Sequence, residues 1–259
     1  MVESVVFLLP HEDDEFAVFF AIEQAACQGR RPVCLFLTDG DSGGQDSSRR
    51  NMESRTVLVR LGVAEADIHF IGTLANFSDG RLYMYLDQAL SAVAAVLDGE
   101  SNVSSLYMPA WEGGHQDHDA VHLIGAVYAG KRGLLGVARQ FTLYRRASNM
   151  LGVTLFAPLA ENGPVKTEPI PWSDRWRYLR LALCYPSQWK SWIGLFPMLA
   201  YSYVTKGTLE TQDVSPVRLS ERPHAGPLLY ERRGRAKYDD VRAAADAFLR
   251  TQKLAQLDR

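Results

Sequence analysis

Cysteine is scarce in this chain of 259 residues: Cys27, Cys34 and Cys184 stand far apart. That excludes a disulfide framework and a cysteine-based zinc site, and leaves packing as the expected role of all three. An excess of one charge is also lacking. Lys and Arg number 28 against 30 Asp and Glu, a net charge of −2, so there is no electrostatic case for nucleic acid as the partner. With 47% hydrophobic residues and 22% charged, the composition is not that of a disordered chain. Long apolar runs are missing too. Residues 5–9 are too short for a signal core, and Glu3 stands where a secretory signal carries positive charge. The longest apolar stretch, 192–204, holds Gly194 and Pro197 and falls short of the roughly 20 residues a transmembrane helix needs. The expectation is a soluble, cytoplasmic protein in which this stretch packs into the core; a membrane-touching or partner-binding patch is the alternative. Repeats, low-complexity tracts, a GxGxxG fingerprint and a GxxxxGK[ST] phosphate loop are all absent, which argues against a nucleotide enzyme.

What is present is an alternation. Apolar runs at 5–9, 33–37, 68–71, 106–108 and 141–144 read as buried strands. Between them, 16–29, 47–61, 82–97 and 117–131 read as helices, the first closed by Gly29 and the second followed by Gly62. This order predicts an α/β fold: a Rossmann-like, mostly parallel sheet with helices on both faces. A Pro-rich stretch (158–171) and helices over 172–184 and 238–254 follow. The reading is one domain, with residues 1–150 as the Rossmann-like core and 151–259 as a less regular region completing and capping a substrate pocket.

Two polar clusters interrupt this pattern, each directly after a predicted strand. In an open parallel sheet, ligands bind outside the carboxyl ends of the strands. The first cluster is Pro10-His11-Glu12-Asp13-Asp14-Glu15. Four consecutive acids repel one another unless they are solvated or share a cation, and the adjoining histidine completes a metal-ligating set. The second is Glu112-Gly113-Gly114-His115-Gln116-Asp117-His118-Asp119. Helix capping is the bland reading of each, but it explains the pair poorly.

The first cluster resembles the PHPDDE motif of the PIG-L/LmbE family of zinc-dependent N-deacetylases, and His115-Gln116-Asp117-His118 resembles that family's HxDH. Thr38-Asp39-Gly40 is similar to its TDG, Arg50 and Glu53 to its RxxE, with Leu61-Gly62 following, and Tyr185-Pro186-Ser187-Gln188 to its YxSQ. The ordered set spans residues 4–188. Two positions depart from the pattern. Glu12 replaces the usual Pro, and Gly113 lies where some members carry a catalytic Tyr, a role that Trp111 or a residue of the second half would have to fill.

The resemblance implies His11, Asp14 and His118 as metal ligands, with zinc, or iron(II), as the ion. It implies Asp13 as the general base and His115, as an imidazolium, as the stabiliser of the oxyanion. Asp117 would orient a nearby histidine. Arg50 would grip substrate hydroxyls or a phosphate, unless it is a surface helix charge, and Trp111 and Glu112 would line a sugar pocket. The implied activity is removal of acetyl from an N-acetylated amino sugar or its conjugate, a small-molecule partner. The aromatic-rich stretch 172–203 would be a pocket wall or lid, or a homo-oligomer interface.

Competing assignments remain. His118 and His122 are spaced i, i+4 on one helix, but His122 lies among Val121, Leu123 and Ile124 and reads as packed or supporting; His69 reads as structural. Gly40-Asp41-Ser42-Gly43-Gly44 matches the GxSxG of serine hydrolases, with His224 as the late histidine, so a Ser42-based hydrolase is an alternative. A non-catalytic sugar- or metal-binding module is another, against which the presence of Asp13 argues.

Overall fold

The first apolar run is buried on both sides, and its alternation sorts it between two cores. Val5, Phe7 and Leu9 join one hydrophobic cluster, and Val6 and Leu8 join the other. This run is strand β1 (Ser4–Leu9), in the middle of a seven-stranded sheet. The computed structural model describes residues 2–41, 46–147 and 152–252.

The chain runs from β1 through α1 (Phe19–Cys27), β2 (Arg31–Phe36), α2 (Ser47–Arg60), β3 (Ile68–Phe70), α3 (Ile71–Ala75), α4 (Leu86–Leu97), β4 (Val103–Pro109) and α5 (Gln116–Arg132) to β5 (Ala138–Phe141). These five strands are parallel. Then come β6 (Tyr144–Arg146), β7 (Val153–Leu155), β8 (Val165–Pro169), α6 (Trp172–Ala182), α7 (Trp189–Thr205), β9 (Thr208–Asp213), α8 (Leu229–Arg232) and α9 (Tyr238–Thr251). The sheet order is β3-β2-β1-β4-β5-β9-β8, with β9 antiparallel to β5 and β8 antiparallel to β9; β6 and β7 form a separate hairpin. The α/β reading, mostly parallel with helices on both faces, is what the structure has.

One face is covered by α1, α2, α6 and α7, through residues such as Ile22, Leu58, Tyr178 and Leu199. The other is covered by α4, α5 and α9, through Val93, Ile124 and Phe248. Strand order reverses between β1 and β4, so their carboxyl ends splay apart at a topological switch point. The two polar clusters leave the sheet at that point.

Several sequence readings are corrected. The fifth strand is 138–141 rather than 141–144: the chain leaves the sheet after Phe141, and Tyr144 opens the β6–β7 hairpin. The Pro-rich stretch contains an edge strand, β8, whose Pro169 lies where a missing N–H does no harm. Strand β9, polar in sequence (TLETQD), had no apolar run to mark it. Stretch 192–204 divides: Trp192, Leu199 and Tyr203 are buried, but Ile193, Tyr201 and Val204 are exposed. Cys27 is exposed at the end of α1 rather than packed. No described helix is long and apolar enough to cross a membrane.

Candidate active site

The loop after β1 makes an abrupt turn that depends on Asp13, a non-glycine residue at φ 117°. Its neighbours hold it there. The Asp13 N–H donates to Glu15 Oε2 (2.9 Å), and Glu15 Oε1 accepts from the Tyr185 hydroxyl (2.8 Å). Arg50, on α2, donates from Nη2 to the Glu12 carbonyl (2.7 Å) and from Nη1 to the Gly40 carbonyl (2.6 Å). Its Nη2 is 3.7 Å from Asp13 Oδ1 and its Nε 3.5 Å from Glu12 Oε2. Arg50 is buried, which excludes the surface-charge reading. Glu12, in place of the rigid Pro, anchors the loop through this pairing. Thr38 Oγ1 donates to the Pro10 carbonyl, and Glu53 accepts from the Ser187 N–H and hydroxyl. The segments 38–40, 50–53 and 185–188 thus brace one loop.

His11 and Asp14 face inward. His11 Nδ1 lies 2.9 Å from Asp14 Oδ2, and His11 Nε2 lies 3.1 Å from Asp117 Oδ2 and 3.4 Å from Asp79 Oδ1. His118 Nε2 approaches the same Asp14 Oδ2 at 3.4 Å. The ring centroids of His11, His115 and His118 are 4.8–5.6 Å apart.

Burial works against charge here, and the neighbours decide each outcome. Burial disfavours ionisation of Asp14, yet the imidazoles of His118 and His11 outweigh it and hold the carboxyl well below its usual range. Burial pulls His11 down, but the carboxylates of Asp79, Asp117 and Asp14 carry it well above the ordinary value. Asp13 is pushed well up by burial and by the Asp14 charge, against the pull of Arg50. Glu12 is raised to about 7 by burial, with Arg50 opposing. His115 falls well below 6.5 through burial and the charges of His11 and His118. This last shift departs from the expected imidazolium. The His115 Nδ1 accepts from the Asp117 N–H (3.3 Å), so the neutral ring carries its proton on Nε2.

The cluster fits a metal ion. His118 is fully buried, and both of its ring nitrogens lack a hydrogen-bond partner. Three donors around a tetrahedral zinc at about 2.0–2.1 Å lie roughly 3.3 Å apart. The Asp14–His11 and Asp14–His118 separations of 2.9 and 3.4 Å flank that value. His11, His115 and His118 also offer nitrogens within 4.8 Å of one another, as do His11, Asp79, His115 and Asp117. The first of these sets shares His11 and His118 with the expected one and differs in the third donor.

A cavity of about 440 Å³ opens over this floor, lined there by His11, Asp13, Asp14, Arg50 and His115. Its outer wall comes from α7, through Lys190, Gly194, Leu195 and Met198, with Arg233 and Arg235 at the rim. Two expected pocket residues are not there. Trp111 and Glu112 are buried and face away from the cavity. Trp111 Nε1 donates to the Glu221 carbonyl (3.1 Å), and Glu112 Oε1 accepts the Leu143 N–H (2.8 Å). Both hold backbone in place. Asp117 likewise accepts from the backbone of Gly80 (2.5 Å) and Leu82 (2.9 Å) while touching His11.

Asp79 and Tyr144 lie in the cavity without having been singled out in the sequence. Asp79 sits on the loop following α3, held by Asp39, whose Oδ1 accepts its N–H. Its signal was an Asp-Gly pair in a third loop beyond a strand. Tyr144 presents its ring edge to His118, with centroids 5.1 Å apart. Gly113 has no room for the tyrosine some relatives carry: a Cβ there would meet Leu228 at 2.6 Å. Of the other histidines, His122 is packed, with Nδ1 2.8 Å from the Pro109 carbonyl and burial lowering its pKa to about 4. His224 lies away from the cavity, its Nδ1 2.8 Å from the Ala225 carbonyl. Ser42 lies outside the described residues.

Residues 6–129 match the family described as PIG-L: GlcNAc-PI de-N-acetylase. No curated protein matches the chain by sequence. Among solved structures, the A40926 pseudoaglycone deacetylase Dbv21 is 16% identical, with a TM-score of 0.63, covering 86% of this chain and 98% of that one. A deacetylase of the teicoplanin biosynthesis pathway, in a complex named "bog", is 16% identical with a TM-score of 0.62, covering 80% and 96%. The N,N'-diacetylchitobiose deacetylase of Pyrococcus horikoshii is 17% identical with a TM-score of 0.56, covering 82% of each chain. At such identities the likeness is one of fold. Residues 6–129, just under half of the chain, carry the PIG-L match, and the motifs at 10–15, 38–40, 50–53 and 115–118 all lie within it.

Proposed function

We propose that the protein is a metal-dependent hydrolase that removes the acetyl group from an N-acetylated amino sugar or its glycoconjugate. The observation that carries this reading is the buried His118, with two unpartnered nitrogens beside the Asp14 oxygen it shares with His11. The family description names a de-N-acetylase, and three structures with this fold are described as a deacetylase of the teicoplanin biosynthesis pathway, an A40926 pseudoaglycone deacetylase and an N,N'-diacetylchitobiose deacetylase.

His11, Asp14 and His118 would hold the ion, zinc or iron(II). When bound, such an ion lowers the pKa of water to about 7 and polarises a carbonyl. The chain's own residues do the rest. Asp13, whose pKa burial raises, accepts the proton of the attacking water and passes it to the amide nitrogen as the C–N bond breaks. A C–O bond replaces that C–N bond, and acetate and a free amine leave. His115 donates from Nε2 to the oxygen on which negative charge develops. Tyr144, at the same cavity wall, stands in for the tyrosine that Gly113 cannot be, with its hydroxyl kept protonated by burial. Arg50 acts first by fixing the Glu12–Asp13 turn and, through its place in the cavity lining, second on substrate hydroxyls. The cavity is of hexose-conjugate size, within the roughly 300–1,000 Å³ range of ligand sites.

The test is a panel of N-acetylated sugar conjugates assayed for acetate and free amine with defined metal. Stoichiometric release of both from at least one class, lost in Asp13→Asn, is expected. Release that survives in Asp13→Asn, or disappears in Ser42→Ala, would overturn the reading in favour of other chemistry.

A further inference from the structure

Exposed large apolar side chains are concentrated on one hairpin. From α6 and its end come Trp172, Trp176 and Leu183, each more than half exposed. From α7 come Trp189, Ile193, Tyr201 and Val204, also more than half exposed. On α7 their spacing, with exposed Pro197 between them, is a single helical stripe. All three tryptophans exposed to solvent lie here; Trp111 and Trp192 are buried. Scattered exposed apolar residues need no explanation, but such a concentration marks an interaction surface.

Its charge indicates the partner. Residues 172–206 carry five basic side chains, Arg175, Arg177, Arg180, Lys190 and Lys206, and one acid, Asp174, in a chain of net charge −2; Arg177 is paired with Glu23 and Asp174, and Lys206 with Glu210. Arg175 is fixed by the Ile170 and Tyr203 carbonyls and lies over the Trp172 ring at 4.3 Å, which holds that indole in place. Arg180 and Lys190 are exposed and have no carboxylate partner among the described residues. A second copy of the chain docking through this face would oppose like charge to like charge. Tryptophan and tyrosine mixed with lysine and arginine is the composition that settles at a lipid headgroup boundary, rings in the interface and cations on anionic headgroups.

We propose that the outward face of the α6–α7 hairpin docks this protein on the surface of an anionic lipid bilayer. The opposite side of α7 explains why docking would matter. Gly194, Leu195 and Met198 of this helix line the cavity, with Lys190 at the boundary between the two sides, and Trp192 packs on Phe16, another cavity residue, at 5.3 Å. A helix that rests on a bilayer on one side and walls the cavity on the other brings the site to substrates held at the membrane. The docking itself stands apart from the chemistry and is measured without turnover.

The experiment is flotation of the full chain with vesicles of phosphatidylcholine alone or mixed with phosphatidylglycerol. The protein is expected to float with the mixed vesicles only, with a blue shift of tryptophan emission, and to be released as salt rises from about 0.1 to about 1 M. Arg180→Glu should lower the partition coefficient at least about fivefold, the effect of losing one basic residue at such a surface. Trp176→Ser combined with Trp189→Ser should abolish flotation. Both sites are exposed, and an unchanged thermal melt establishes that the variants are folded. No flotation with either vesicle, equal flotation with both, or flotation unchanged in the variants would overturn the proposal. So would a concentration-dependent dimer that disappears in the tryptophan variant, which would assign the face to a second copy.

Discussion

The loops after β1 and β4 are nearly matched in composition, and they use their acids in opposite ways. In the first, Asp13 and Asp14 line the cavity, while residues distant in sequence (Arg50, Tyr185, Asp117) hold the loop around them. In the second, Glu112, Asp117 and Asp119 are fully buried and spend their oxygens on backbone N–H groups of Leu143, Gly80, Leu82 and Gly113. Of that loop His115, His118 and one oxygen of Asp117 stand with the first loop's His11 and Asp14. In the first loop Asp13 and Asp14 face the cavity while Glu12 and Glu15 brace the turn; in the second all three acids hold backbone. Of those three, only Asp117 also touches His11.

Substitutions separate the two uses. The largest effect is expected for Asp13→Asn, which should lower kcat for acetate release by about 10²–10⁴ while leaving the melt and the bound metal unchanged, as steady-state kinetics and metal analysis will show. Next is Glu112→Gln. Burial lifts the Glu112 pKa to about 8 in the folded chain, above the unfolded value of about 4.3. A raised carboxyl pKa means the folded state keeps a proton that the unfolded state gives up. Stability is therefore full below about pH 4 and falls as pH rises towards 8. Urea unfolding across that window should show the variant losing on the order of 2–4 kcal/mol less than the parent chain.

Smaller is Asp119→Ala. It strands the buried Gly113 N–H and should cost about 1–3 kcal/mol in urea unfolding, with activity following the folded fraction. The smallest is Trp111→Phe, which removes one hydrogen bond to Glu221 and should cost about 1 kcal/mol while leaving KM unchanged. A raised KM would return Trp111 to the pocket.

The contrast between the loops also explains what was legible in the sequence. β1 was legible because a strand buried on both faces must be continuously apolar. The clusters were legible because grouped acids and histidines beyond strand ends have few bland explanations. Orientation was not legible. Glu112 and Glu12 are both glutamates a few residues beyond a strand's carboxyl end, and only the structure shows Glu112 turned towards the Leu143 N–H. Asp79 was missed because it stands alone beyond a short strand, and backbone contacts to Asp39 and Asp117 bring its loop to the site. Tyr144 read as a strand residue because its apolar neighbours fit one. β9 was hidden by polar side chains that an antiparallel strand near a sheet edge tolerates. The exposed stripe of α7 was merged with its buried side, since apolar content alone does not say which side is covered.

On the proposed function, the two loops jointly hold one catalytic divalent ion. The most direct measurement is acetate release from an N-acetylated sugar conjugate by chelator-stripped protein, before and after zinc or iron(II) is returned, with bound metal counted in parallel. One ion per chain, activity lost on stripping and regained on reloading, and neither metal nor activity in His118→Ala is the predicted result. Undiminished acetate release from the stripped protein, or from His118→Ala, would contradict it.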